Sequence, residues 1–203
     1  IPEGTKPTSS IVGDMWNSSA TNAMEYSGSG LDQKFVGCAF TGTADATASN
    51  TASETSITPS GVGTLTIPAN FLVAGKTLRI KAGGKYSTDG AAGPDLNLKI
   101  KLGSTIIAEF GDAEMTVGAT DVAWVAEFNI TCRSTGVSGT VIDRNSAIMT
   151  YGPSGTQRVW LSGNSTTRTI DTTASGALTI VAQWSSADTD NSITTQIFTV
   201  EIL

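Results

Sequence analysis

The sequence predicts an all-β sandwich, and three observations carry that prediction. Apolar residues recur at every second position. The pattern is cleanest in VAWVAEFNITCR, where Val122, Trp124, Ala126, Phe128, Ile130 and Cys132 share one face and Glu127, Asn129, Thr131 and Arg133 the other. Gly, Pro, Asn and Asp interrupt the alternation at short intervals, which yields roughly ten short strands. No stretch keeps helical apolar spacing, so parallel βαβ folds are excluded and a sandwich or barrel remains.

The elements follow in order. In VGDMWNSSATNAMEYSGSG, residues 12–30, Trp16 and Tyr26 flank a run of Ser, Thr and Asn. Read locally, this is a hairpin pairing 15–17 with 23–26, with Trp16 and Tyr26 stacked across it. A two-stranded hairpin is marginal alone, and the small, patternless GTADATASNTAS that follows Thr41 reads as a linker. The expected organisation is therefore an N-terminal hairpin segment over 1–41, a linker over 42–51 and a main β-domain over 52–203. Residues 1–41 then need a partner surface, with Trp16, Tyr26 and Phe35 as the anchoring or oligomer contacts.

Within the main domain, KTLRIKAGGKYS turns Leu78, Ile80 and Ala82 inward. DLNLKIKLGSTIIAEF turns Leu96, Leu98, Ile100 and Leu102 inward and Lys99 and Lys101 outward. Gly103-Ser104 then suits a two-residue type II′ turn into a return strand over 106–110. GALTIVAQW presents Leu178, Ile180, Ala182 and Trp184 to the core. In SITTQIFTVEIL the alternation changes face at Ile197-Phe198, which predicts a bulge. Weaker strands are expected over 54–58, 64–67, 141–143, 147–151, 156–161 and 167–171.

Composition bounds the chemistry. The 203 residues carry 15% charged side chains, a net charge of −6, and no histidine. A chain without histidine lacks the commonest general base, the Ser-His-Asp and Cys-His arrangements and most zinc sites. The acidic balance argues against nucleic acid and anionic membrane surfaces. No apolar run approaches the length of a membrane-spanning helix, and IPEGTKPTSS carries neither the basic nor the apolar part of a signal peptide. Cys38 and Cys132, the two cysteines, either pair or serve as small buried apolar groups.

The carboxylates form no evident acid–base pair, so no catalytic residue, metal ligand or cofactor is expected. Asp188, Asp190 and Asn191 in SADTDNS could offer oxygens to calcium, but the loop lacks an EF-hand's glycine and distal Glu and reads as a polar turn. In TQRVWLSG, Val159 and Leu161 alternate with Arg158 and Trp160. Trp160 either faces solvent or a partner, or packs beneath a loop. Tyr151, Arg158 and Trp160 are the candidate surface-recognition residues. The N-x-S/T triplets at Asn17, Asn129 and Asn164 carry no weight in so Ser- and Thr-rich a chain.

Two stretches resemble tailed-bacteriophage virion appendage proteins. PTSSIVGDMWNSSATNAMEYSGSGLDQKFVG is similar to a short repeat of fibre proteins, matched at Pro7, Gly13, Asp14, Trp16, Asn22, Glu25 and Tyr26, with Phe35-Val36 where Trp-Val is common and SGSGLDQ a longer insertion. SGVGTLTIPANFLVAGKTLRIKAGGKYST, together with the last strands from GALTIVAQW onward, resembles the jelly-roll domains of virion surface proteins. The resemblance implies a jelly-roll (TNF-like) β-sandwich with a small N-terminal β-hairpin module. It implies a non-enzymatic virion structural protein, a homotrimeric fibre or capsid-decoration subunit on the virion surface, assembled in the host cytoplasm. Its expected partners are copies of itself, other virion proteins such as major capsid or tail proteins, and host cell-surface glycan. Two other readings stay open: a secreted carbohydrate-binding module or adhesin, and a filament subunit that polymerises by strand donation.

Overall fold

The chain is described here from a computed structural model, whose backbone is defined over residues 3–4, 15–18, 23–28, 31–91, 93–151, 156–163 and 166–203. Side chains are described over 38–91, 93–148, 159–163 and 166–203. The strands of the N-terminal third are β1 (Glu3–Gly4), β2 (Met15–Ser18), β3 (Ala23–Gly28), β4 (Leu31–Gly42), β5 (Ala46–Ser49), β6 (Thr55–Ser56), β7 (Gly61–Gly63) and β8 (Thr66–Ile67). The long strands follow: β9 (Thr77–Ser87), β10 (Asp95–Leu102), β11 (Thr105–Glu114), β12 (Val122–Ser134) and β13 (Gly139–Tyr151). Last come β14 (Thr156–Ser162), β15 (Arg168–Ile170), β16 (Gly176–Trp184) and β17 (Ser192–Ile202).

These strands build two sheets packed face to face, a β-sandwich. The larger runs β1-β2-β3-β4-β17-β9-β12-β13-β14, with β5 beside β17, β7 beside β4 and β15 beside β13. The smaller runs β11-β10-β16-β6, with β8 beside β16. Pairing is antiparallel except for the two-residue β1–β2 bridge.

The predicted inward residues are the observed core. Trp124, Phe128, Leu78, Ile80, Phe198 and Val200 from the larger sheet meet Leu96, Leu98, Ile100, Leu178, Ile180 and Trp184 from the smaller, all buried. Phe110 of β11 meets Phe128 of β12 edge to face across the layers, ring centres 4.9 Å apart, a geometry that adds quadrupole attraction to buried area. The β10–β11 turn has φ +59° at Gly103, and Ser104 is not among the positive-φ residues, as the first central position of a II′ turn requires.

Three expectations are corrected. The stretch read as a linker is part of the larger sheet: β5 pairs with β17 from Ala46↔Thr195 to Ser49↔Ser192, and Thr47 shares a 2.8 Å hydroxyl hydrogen bond with Thr194. Alanine and threonine suffice there because β5 needs only one inward residue, Ala48, which is buried. The boundary expected after residue 41 falls inside β4, whose Gly37–Thr41 portion pairs with β17 and buries Ala39 and Phe40 in the common core. The 2–3 hairpin forms over Met15↔Tyr26 to Ser18↔Ala23, but its register sets Trp16 opposite Glu25 and Tyr26 opposite Met15, so the two aromatics are not cross-strand partners.

The bulge in β17 lies between Thr195 and Ile197, just ahead of the predicted place. Facing it is Gly84, where an added Cβ would sit 2.0 Å from the Thr194 carbonyl oxygen. Gly84 is also the register partner of Trp124 in β12. Trp124 Nε1 donates to the Thr194 carbonyl, 3.2 Å away, tying β12 to β17 over the intervening β9.

Both cysteines are free thiols, Cys38 exposed and Cys132 buried. Burial raises the Cys132 thiol above its ordinary pKa, which keeps it protonated and unreactive. Alkylation followed by mass spectrometry should therefore modify Cys38 in the native protein and Cys132 only on unfolding. Equal labelling of both would contradict the packing of β12.

Candidate functional site

The outward positions of the larger sheet are mostly charged or hydroxylic, as a wet face requires. On β9 they are Thr77, Arg79, Lys81, Gly83, Lys85 and Ser87, and the one position without a side chain is Gly83. Register carries that gap into an apolar row. Gly83 pairs with Ile197 of β17 on one side and Val125 of β12 on the other. Val125 then pairs with Ile148 of β13, and Ile148 with Val159 of β14. The row Ile197–Gly83–Val125–Ile148–Val159 crosses five strands, and its four side chains are all exposed. Leu161, two residues beyond Val159 on the same face, extends it and is 78% exposed.

A groove of about 370 Å³ lies along this row. Val125, Ile148 and Ile197 wall it, Gly83 forms part of the floor, and Lys81 and Glu127 stand in the next row. The flanking rows are charged with both signs: Arg79 reaches Glu201 at 3.2 Å and Glu127 at 3.9 Å, and Lys85 reaches Asp121 at 3.0 Å. The chemistry of this face is association by apolar burial inside a polar rim.

Sequence reasoning placed recognition on the other side of β14. Trp160 faces inward, partly buried against the core, while Val159 and Leu161 face out. An aromatic counted as a candidate surface platform thus packs against the core. Tyr151 and Arg158 occupy β13 and β14, paired with Thr156 and Met149, and their side chains lie outside the described residues. Trp16, Tyr26 and Phe35 lie in β2, β3 and β4, with Phe35 opposite Glu25, and their side chains also lie outside the described residues.

A buried polar cluster escaped the sequence reading. Asp143, fully buried, and Asn145 point inward from β13, where alternation calls for apolar residues. Asn145 Nδ2 donates to Asp143 Oδ2 at 2.6 Å, and Arg168 Nη2 of β15 donates to Glu109 Oε1 of β11 at 2.8 Å. Arg168 Nε lies 3.5 Å from Asp143 Oδ1, an ion pair without hydrogen-bond geometry. Ser162 Oγ donates to the Glu109 carbonyl, closing a bridge between the two sheets. The visible trace of this cluster was the polar interruption at DRNS, which made β13 read as two strands.

The SADTDNS loop is a polar turn, with backbone N–H groups of Asp190 and Asn191 donating to Asp188. Asn191, buried, accepts from the Asp89 backbone N–H at 3.0 Å and so ties two loops together. Carboxylate oxygens of Asp89, Asp188 and Asp190 lie within 4.8 Å of one another, a donor set a hard cation could use. No protein-family model, curated protein or solved structure matches the chain.

On the outer face of the smaller sheet, Lys99 and Lys101 both bind Glu54, Lys99 at 3.2 Å, and Lys99 also donates to Gln183 at 2.8 Å. The Lys101 hydrogen bond leads the effects that hold the Glu54 carboxyl below its ordinary pKa, and Lys99 adds to it. A depressed carboxyl adds stability that is complete above the unfolded value of about 4.3 and fades as pH falls through the folded one. Urea unfolding should show Glu54→Gln losing about 1 kcal/mol or less at neutral pH, with the gap to the parent closing on acidification. A gap that is constant with pH would assign Glu54 a packing role only.

The β11–β13–β15 cluster yields a sharper expectation. Arg168→Met removes the cation beside the fully buried Asp143 carboxyl and should cost about 3–5 kcal/mol. Asp143→Leu combined with Arg168→Met should recover much of that loss, because the fully buried carboxyl is gone and Glu109, left without its partner, is part-exposed to water. Denaturant titration of the three proteins measures both effects.

Proposed function

We propose that the protein is a non-enzymatic structural subunit of a tailed-phage virion surface, a fibre or capsid-decoration sandwich of jelly-roll type that works as a homotrimer. The observation that carries this reading is the apolar row across the larger sheet. Its exposed Val, Ile and Leu side chains are costly to leave in water and gain only when a partner covers them. The resemblance of the TIPANFLVAGKTLRI stretch and of the chain's last strands to virion surface domains supports the same reading, as does a sequence without histidine. Glycan recognition centred on Trp160 loses its support, since the indole packs against the core.

Virions purified from a producing culture, digested and analysed by quantitative mass spectrometry, should contain the protein at a fixed copy number per particle. Gold-labelled antibody against residues 52–203 should decorate intact particles at a regular position. Particles free of the protein would overturn the assignment.

A further inference from the structure

We infer that the apolar row on the larger sheet is the surface through which copies of this chain bind one another. The inference rests on the structural reading above only in taking this face as the working surface. It assigns the partner: a second copy of the same chain.

Size is the first argument. The exposed fractions of Ile197 (62%), Val125 (51%), Ile148 (43%), Val159 (64%) and Leu161 leave an apolar patch on the order of 500 Å². That is near the upper end for a lone soluble chain and close to the apolar core of a standard interface of roughly 800 Å² per partner. Shape is the second. Ile197 stands proud on the bulge of β17, and one strand away the bare Gly83 opens the groove. The face therefore holds both a projecting side chain and a hollow to receive one, so that around a three-fold axis the projection of each copy enters the hollow of the next.

Charge is the third argument. The whole chain is acidic, at −6, so two arbitrary surfaces of it repel. The rim of this patch is different: Arg79, Lys81 and Lys85 stand among Glu127, Glu201 and Asp121. A rim carrying both signs suits another copy of itself better than a partner of uniform charge. The row also runs out to β14, which pairs only with β13 among the described residues, so nothing described covers its outer end.

Sedimentation equilibrium of the full chain from about 1 to 100 μM tests the assignment. The parent should self-associate, and Ile197→Asp and Val125→Asp should each weaken association by about 30-fold or more. Val137→Asp, on the exposed turn between β12 and β13, adds the same charge away from the row and should change association little. Circular dichroism and thermal unfolding show which variants are folded. A second pair, Leu161→Asp and Ile148→Lys, replaces any that is not. A parent that stays monomeric at 100 μM overturns the inference, as do folded row variants that associate like the parent or a Val137→Asp variant as weakened as they are. A monomer found on purified virions would overturn this interface and the trimer, and leave the virion-surface assignment standing. Self-association of a protein missing from virions would do the reverse.

Discussion

The molecule turns on two adjacent residues without side chains, Gly83 and Gly84 in the middle of β9. Gly84 lies where β17 bulges so close that no Cβ fits, against the same Thr194 carbonyl that accepts the Trp124 indole N–H. Gly83 faces out, where its bareness converts a basic strand face into the floor of an apolar groove. One dipeptide thus admits the close approach of the β17 bulge and opens the groove on the outer surface. A bulge locally strengthens twist and re-aims side chains, and here it turns Ile197 outward beside Phe198 turned inward.

Polar groups do a different job. The Asp143–Asn145–Arg168–Glu109 cluster joins the sheets where β13 and β15 face β11. Such a network contributes little net stability over a well-packed apolar replacement, yet its directional hydrogen bonds favour one placement of β13 over β11. Glu54 acts similarly outside, where two lysines from β10 fix the chain as it enters β6.

Legibility followed burial. Long strands with one wet face declare themselves, and the inward sets of β9, β10, β12 and β16 were readable residue by residue. The pattern failed where neighbours decide. GTADATASN has no alternation of its own and becomes a strand because β17 offers a free edge. DRNS hid the centre of β13 because its inward residues are satisfied by partners far away in sequence. The orientation of Trp160 against Val159 and Leu161 stayed open, since an edge strand with apolar residues on both sides has no preferred orientation until it is docked.

The sequence by itself determined the class of fold, the greater part of the core and the absence of histidine chemistry, because period-two alternation and composition are local properties of the chain. Only the tertiary structure decided that residues 37–49 belong to the main sheet, that Trp160 is packed and not presented, and that four side chains from four strands line up through Gly83 as one apolar row. Register between strands distant in sequence makes that row, and no single segment carries it.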